Sequence, residues 1–432
     1  MISRHEAGYR RLCLAALLAG CGGGSDGLGP TGSPTSLRFS RDTATIGIDG
    51  NVALIPREVG GRAIAPEALQ WSSSDAAVAS VSAAGLVTGV AGGEVEIRVR
   101  VAELGDTARI TVLPFISLGT AEPRTIDADG NVGGIIGSQP FIWSRGAGLR
   151  RLPNLPGTSG GGVFGLAGQG TAVGTSGGGD LENGHPVVWT LLEDGTATVE
   201  ALPWDGGPTG FAHGVAAAGD RIVGQVFAQP APNRYNPYPA LWTRAANGIW
   251  LVELLPVPVD GYGAAFKVNQ TGHVLGLVEA DGPQGFTTSV VVWTRLPDLT
   301  WAREAVATGA LGTVSAGGLN AADAVAGAQD DRAMLWTRSG AGWTSQDLGD
   351  LGGGEFSFAS DINDAGTVVG ATFDSRGRQR AFSWAAATGM RDLGSLSVNA
   401  SASALNATGA VAGLSYHPES STGQIGTLWP AP

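Results

Sequence analysis

The sequence predicts an all-β protein, a β-sandwich followed by a seven-bladed β-propeller that its N-terminal strand closes. Three observations lead there. A strand ending in tryptophan recurs seven times, a short turn phrase running from Asn or Asp to Gly keeps the same beat, and the segment ahead of both alternates apolar and polar residues at period two. Self-similarity at such a period is the mark of a repeat architecture.

The repeated strands FIW, VVW, ALW, VVW, MLW, FSW and TLW end at Trp143, Trp189, Trp242, Trp293, Trp336, Trp384 and Trp429, which stand 43 to 53 residues apart. Before them come IDADGNVGG (126–134), LAGQGTAVG (166–174), VAAAGDRIVG (215–224), VNQTGHVLG (268–276), LNAADAVAG (319–327), INDAGTVVG (362–370) and LNATGAVAG (405–413). Asn or Asp opens such a turn because its short side chain bonds the local backbone, and Gly closes it because positive φ is free of steric cost there. That is hairpin chemistry. A leucine-bearing strand such as LRRLPNL (149–155) or MRDLGSL (390–396) follows each tryptophan. With the strand before each turn, every period holds four short strands, one propeller blade. The last unit lacks its leucine strand, whereas PFISLG (114–119) has no tryptophan of its own. Moving that strand to the last blade completes seven of each element and leaves no open edge; an open solenoid is the competing arrangement. One tryptophan at a fixed place per blade predicts core packing rather than a row of sugar contacts.

Between Pro34 and Leu113 the pattern is of short alternating strands: Leu37–Phe39, Ala44–Ile48, Val52–Leu54, Val78–Val81, Val95–Val101 and Ala108–Val112. Several short strands with turn residues between them predict a sandwich. The stretch WSSSDAAVASVSAAGLVTGVAGGEVEI, Trp71 to Ile97, resembles the bacterial immunoglobulin-like domain of group two. The resemblance implies an immunoglobulin-like β-sandwich over 34–113 serving as a spacer.

Residues 1–20 read as a signal peptide. Arg4, Arg10 and Arg11 precede the apolar run Leu12–Leu18, which is too short for a span of about 20 residues. Leu18-Ala19-Gly20-Cys21 resembles the lipobox of bacterial lipoproteins, which implies a diacylated Cys21 as membrane anchor and a location in the cell envelope, with Gly22 favouring the outer membrane. Cys13 leaves with the signal, so no intrachain disulfide is expected. Residues 21–33, rich in glycine and serine, make a flexible tether.

Composition narrows the function. Glycine supplies 70 of 432 residues without a collagen-like period, so it serves turns. Charged residues make up 15% and the net charge is −12, which speaks against a nucleic-acid partner, since phosphate binding needs clustered Lys and Arg. The repeat resembles the extracellular HAF family through Arg380-Ala381-Phe382-Ser383-Trp384, Asp392-Leu393-Gly394-Ser395-Leu396 and Asp361-Ile362-Asn363-Asp364-Ala365-Gly366. That resemblance implies a propeller outside the cytosol and no particular chemistry.

No catalytic residue, metal or cofactor is expected. Gly157-Thr158-Ser159-Gly160-Gly161 and Gly174-Thr175-Ser176-Gly177-Gly178 fit G-x-S-x-G but lack the strand-to-helix elbow that arms such a serine. His185, His213, His273 and His417 have no paired metal spacing. Asp127-Ala128-Asp129-Gly130-Asn131 resembles the opening of a calcium loop, but a plain hairpin turn is the better reading.

The distance from the last glycine of a turn phrase to its tryptophan runs from 9 residues to 18, so the loops of one rim vary most. Variable loops on one face are where repeat proteins place recognition. The candidate ligand-binding residues on these loops are Asp180, Glu182, His185, Arg234, Tyr235, Tyr238, Asp281, Phe286, Arg376, Tyr416 and His417. The expected function is a monomeric, non-enzymatic envelope lipoprotein that binds protein or glycan, held to the membrane through Cys21. The alternatives are a structural envelope component or a propeller-based carbohydrate-active hydrolase or lyase.

Overall fold

The structure, a computed structural model, describes residues 36–58, 64, 66–168, 170–177, 184–205, 207, 209–231, 234–282, 285–340, 342–395, 399–416 and 423–431. Cys21 lies outside them, as do Asp180, Glu182 and His417. The described chain is all-β apart from a 3-10 turn at Pro66–Ala68.

The N-terminal part folds as small packed sheets. Gln70–Ser73, Gly93–Val101 and Leu104–Leu113 pair antiparallel, and Thr43–Gly47 adds to the last in parallel. Asn51–Ala53, Leu86–Gly89 and Ala79–Val81 form a three-stranded sheet, and Leu37–Phe39 pairs with Pro56–Glu58. Alternate residues of the long strands, Val95, Ile97, Val99, Ala108, Ile110 and Val112, meet Leu37, Leu54 and Val87 in one core. Trp71 stacks on Phe39 with ring centroids 5.8 Å apart. The serines and aspartate after Trp71 shape the next turn: Ser73 Oγ donates to the Ala79 carbonyl at 2.7 Å, and Asp75 Oδ1 accepts from the Ala77 amide at 2.9 Å.

Seven four-stranded meanders follow, here numbered as sheets one to seven. Their first strands are Glu122–Ile126, Gly161–Ala167, Gly210–Val215, Tyr262–Val268, Val314–Leu319, Gly352–Ile362 and Ala400–Leu405. Sheets one to six take all four strands from one continuous stretch of chain. Sheet seven takes three, and its fourth is Ile116–Ser117, paired as Ile116 with Leu428 and Ser117 with Thr427. Phe115 and Trp429 meet in that sheet's core, ring centroids 6.4 Å apart. First strands touch first strands in succession from sheet one to sheet seven, and that of sheet seven touches that of sheet one. No single sheet closes on itself.

The tryptophans do pack between sheets. Trp189, Trp242, Trp293, Trp336, Trp384 and Trp429 are buried, and Trp143 is half-buried. Three of them also join neighbouring sheets. Trp189, Trp242 and Trp293 donate Nε1–H to the carbonyls of Pro153, Pro203 and Pro256, in the segments leaving the preceding sheets, at 2.7, 2.8 and 2.8 Å.

The turn phrase has a second use besides turning. Asn363 Oδ1 accepts its own turn's Thr367 amide at 3.0 Å, while its Nδ2 reaches out to the Asn406 carbonyl of the next turn at 3.1 Å. Asn269 reaches the Asn320 carbonyl (3.0 Å), Asn320 that of Asn363 (3.2 Å), and Asn406 that of Asp127 (3.0 Å). The relay stops at Asp127, whose carboxylate has no N–H to donate. Both its oxygens serve the local turn instead, Oδ1 accepting from the Asp129 and Asn131 amides and Oδ2 from Asn131 Nδ2. This accounts for the residues that resemble a calcium loop.

The R-A-F-S-W and D-L-G pieces of the repeat turn out to be ion-pair partners. Arg380 binds Asp392 and Ser395, and Arg332 binds Asp347 and Asp350 in the sheet before. Asp392 and Asp347 in turn accept the Gly394 and Gly349 amides, each at 2.8 Å.

The sandwich is docked on this assembly. The Ile48 amide donates to the Phe115 carbonyl at 2.9 Å, Ile48 packs beside Ile116, and Arg145 of sheet one grips both oxygens of Asp49.

Candidate functional site

Each first strand carries the same irregularity. Its register with the second strand slips by one residue, a β-bulge, at Arg124, Phe164, His213, Phe266, Gly317, Ser360 and Ser403. A bulge places an extra residue on one face and turns its side chain away from the sheet's ordinary alternation. Here the residues just before it, Pro123, Val163, Ala212, Ala265, Ala359 and Ala402, are buried in the sheet cores, while the bulged residues are half-buried or exposed.

Bulged side chains from consecutive sheets meet. His213 lies 6.1 Å from Phe164 and 5.3 Å from Phe266 between ring centroids, and Phe211 stacks on it at 6.0 Å and 12°. Phe227 backs Phe211 edge-on at 6.0 Å. His213 Nε2 is sealed from solvent without a hydrogen-bond partner, and burial among these rings pushes the imidazole down to about 4, although a hydrogen bond with Gln225 acts in the opposite direction. It is therefore neutral at pH 7.

A polar clasp lies one residue further along. Lys267, the only lysine of the chain, meets Asp361 Oδ1 at 3.1 Å across the intervening sheet five. Asp361 Oδ2 also accepts the Leu405 amide at 3.1 Å. One carboxylate thus links sheets four, six and seven. Gly318 stands where Asp361 passes, because a Cβ there would collide with the carboxylate.

Beside the aromatic cluster opens a hollow of about 620 Å³ between sheets one, two and three. Its apolar wall is Phe164, Phe211 and Ile135, and its polar wall is Arg124, Ser138, Gln139, Ser159 and Thr175. Gly160 and Gly161 complete it where the chain enters sheet two; Gly160 takes a φ of 81° that only glycine adopts freely. Arg124 uses one guanidinium N–H on Glu122 at 3.1 Å and is otherwise exposed.

The predicted rim residues fall on the hairpins joining second to third strands. His185 comes nearest the hollow. Its carbonyl accepts from Thr175 Oγ1 at 3.2 Å, and neighbouring Gly184 abuts the Phe211 ring. Arg234, Tyr235 and Tyr238 open the third strand of sheet three, where Tyr238 packs against a core shared with sheet two. Asp281 pairs with Phe286 across the hairpin of sheet four, and Phe286 lies 5.6 Å from the Tyr262 ring. The Arg376 amide donates to Asp374 in the hairpin of sheet six, and Tyr416 in sheet seven accepts from Gln424 Nε2 at 2.7 Å. The structure puts these residues on the same kind of hairpin but brings none of the described ones into the hollow. Sequence reasoning missed Arg124, Phe164, Phe211 and His213; their signal was the first strand repeating just before each turn phrase.

Among the described residues no three His, Cys, Asp or Glu gather as a metal site, and no helix is long and apolar enough to cross a membrane. No curated protein matches the sequence. Solved structures give remote likenesses. A puromycin hydrolase S511A mutant superposes with a TM-score of 0.44 at 14% identity, over 72% of this chain and 53% of its own. A Mycobacterium tuberculosis puromycin-hydrolyzing peptidase gives 0.42 at 15% identity, over 78% and 52%. The chain thus spans about half the length of those two proteins. Aleuria aurantia lectin, described as a six-bladed β-propeller with a novel fucose recognition mode, gives 0.32 at 11% identity, over 77% and 96%. Likenesses this remote carry no argument about this chain. One segment matches a family model: residues 61–112 match that of the bacterial Ig-like domain, group 2, which supports the Ig-like reading of the N-terminal sheets.

Proposed function

We propose that the seven sheets are the blades of a closed propeller, and that the chain is a lipid-anchored envelope protein which binds a protein or glycan on the face carrying the second-to-third strand hairpins. Ring closure is supported by the pairing of Ile116–Ser117 with the last strand and by the Asn406 bond to Asp127. The observation that carries the binding reading is the hollow, a concave site of about 620 Å³ that mixes half-buried aromatic rings with polar groups. Such a mixture is what small-ligand sites present. The Ig-like domain, docked through Asp49 and Phe115, acts as the spacer between anchor and propeller.

The test is a screen of the full chain against defined glycans and purified envelope proteins, with Tyr235→Ala and Tyr238→Ala on the hairpins and Arg124→Gln in the hollow. Binding that survives all three changes would remove this face from the account. Metabolic labelling with palmitate checks the anchor: the label should enter the wild type and be absent from Cys21→Ser.

A further inference from the structure

We propose that the hollow between sheets one, two and three is a glycan site that seats one neutral pyranose sugar, its apolar face on Phe164 and Phe211 and its hydroxyls on Arg124, Ser138, Gln139, Ser159 and Thr175. This rests on the reading of that face as a binding face and names its ligand.

The aromatic wall is rigid before any ligand arrives. Phe211 is held between His213 and Phe227, and Phe164 is held against His213, which packs on Phe266. A preordered ring loses little conformational freedom when a sugar's C–H face stacks on it. The cluster's neutral imidazole keeps that wall apolar at pH 7.

The polar wall offers what a polyol needs, namely donors and acceptors on side chains. Arg124 keeps most of its fixed fork of N–H groups, which suits two adjacent sugar oxygens. The Ser138 and Ser159 hydroxyls have no partner among the described residues. Thr175 spends its proton on the His185 carbonyl and keeps an acceptor lone pair.

A peptide would need something else, a free strand edge or a nest of N–H groups. At the hollow those groups are spent: the Gly161 amide donates to Ser138 O, that of Gly177 to Gly160 O and that of Leu155 to Ser176 Oγ. Charge selects a neutral sugar over an acidic one. Glu122 already balances Arg124, and the chain is net −12. The volume falls within the roughly 300–1,000 Å³ of small-molecule sites.

Saturation-transfer NMR of the full chain with a panel of neutral hexoses and N-acetylhexosamines, together with an array of glycans ending in them, tests the proposal. At least one neutral sugar should show transfer. Arg124→Gln, on an exposed side chain that leaves the fold alone, should weaken it by about tenfold, the loss of one charge-assisted hydrogen bond. Phe211→Ala should abolish it, whereas Phe356→Ala, an exposed ring of sheet six, should leave it unchanged. Equal binding by wild type and Arg124→Gln, or selection of acidic glycans only, overturns the sugar site. A purified protein partner bound through the hairpins and indifferent to Arg124→Gln overturns it too, while sustaining the binding face. Silence of both the glycan and the protein arms removes the binding face as well.

Discussion

Two arcs of the sheet assembly seal their seams in different ways. Between sheets one and two, two and three, and three and four, an indole N–H donates to a proline carbonyl, from Trp189 to Pro153, Trp242 to Pro203 and Trp293 to Pro256. Between sheets four and five, five and six, six and seven, and seven and one, an asparagine amide donates to the next turn, from Asn269 round to Asp127. The two devices divide the seven seams without overlap. The turns at Ala167 and Ala216, which lack the asparagine, belong to sheets two and three, inside the tryptophan-to-proline arc. Their departure from the repeat therefore leaves no seam unbonded. The exits differ for a backbone reason. Pro153 is held near φ −65°, whereas Gly349 and Gly394 at the matching places take φ of 83° and 82°. A chain leaving a sheet by the glycine route has a different path, and Trp429 Nε1, in the sheet that follows Gly394, is buried without a partner.

The contrast is open to attack by mutation. Asn363→Ala should have the largest effect, a loss of about 3 kcal/mol in chemical denaturation, because it orphans the half-buried Thr367 amide and also takes one of two donors from the Asn406 carbonyl, which keeps the Gly409 amide. Asn363→Asp tests the relay itself, since it keeps the local acceptor but cannot donate; it should lose about half as much. An equal loss from both variants would deny the relay any weight.

Acid should strike the other arc. His213 is depressed in the folded protein and ordinary in the unfolded chain, so the unfolded state takes up its proton first as pH falls. Stability present above about pH 6.5 should decline between there and about 4, by up to about 3 kcal/mol. His213→Phe should flatten that part of the stability-against-pH curve, and an unchanged slope would show that the imidazole is not the titrating group. Trp242→Phe removes the indole donor and some volume from sheet three, and should cost about 2 kcal/mol. Hydrogen exchange should show the loosening at sheets two and three and leave the asparagine arc protected. The smallest effect belongs to Arg380→Ala, about 1 kcal/mol, since the side chain of its partner Asp392 is 37% exposed and solvent screens the pair.

Much of the fold was legible because it is written in local chemistry. Turn residues announce themselves within a few positions, the tryptophans mark the period, and Ile116–Ser117 pairs where the missing leucine strand was expected. The site was far less legible. A bulge shifts the alternation of a strand by one, so period-two reading cannot say that Phe164 and His213 turn out of their sheets. The hollow also gathers Arg124, Thr175 and Phe211 from three sheets, and no local pattern brings such distant residues together. Loop length pointed to the long hairpins, of which, among the described residues, the Gly184–His185 corner adjoins the hollow, whereas the short hairpin of sheet one lines it through Ser138 and Gln139. The second use of asparagine was hidden for the same reason, since its partner carbonyl lies one whole repeat away.

The last strand of the sandwich, Leu104–Leu113, runs within three residues into Ile116–Ser117. Any tension arriving from the N-terminal side is therefore delivered to the latch of sheet seven, which is only two residue pairs long. The Asp49–Arg145 grip and the Ile48–Phe115 bond lie in parallel with that path and take up load before it. Under such a load the docked sandwich would serve as a strain relief, like the collar where a cable enters its plug.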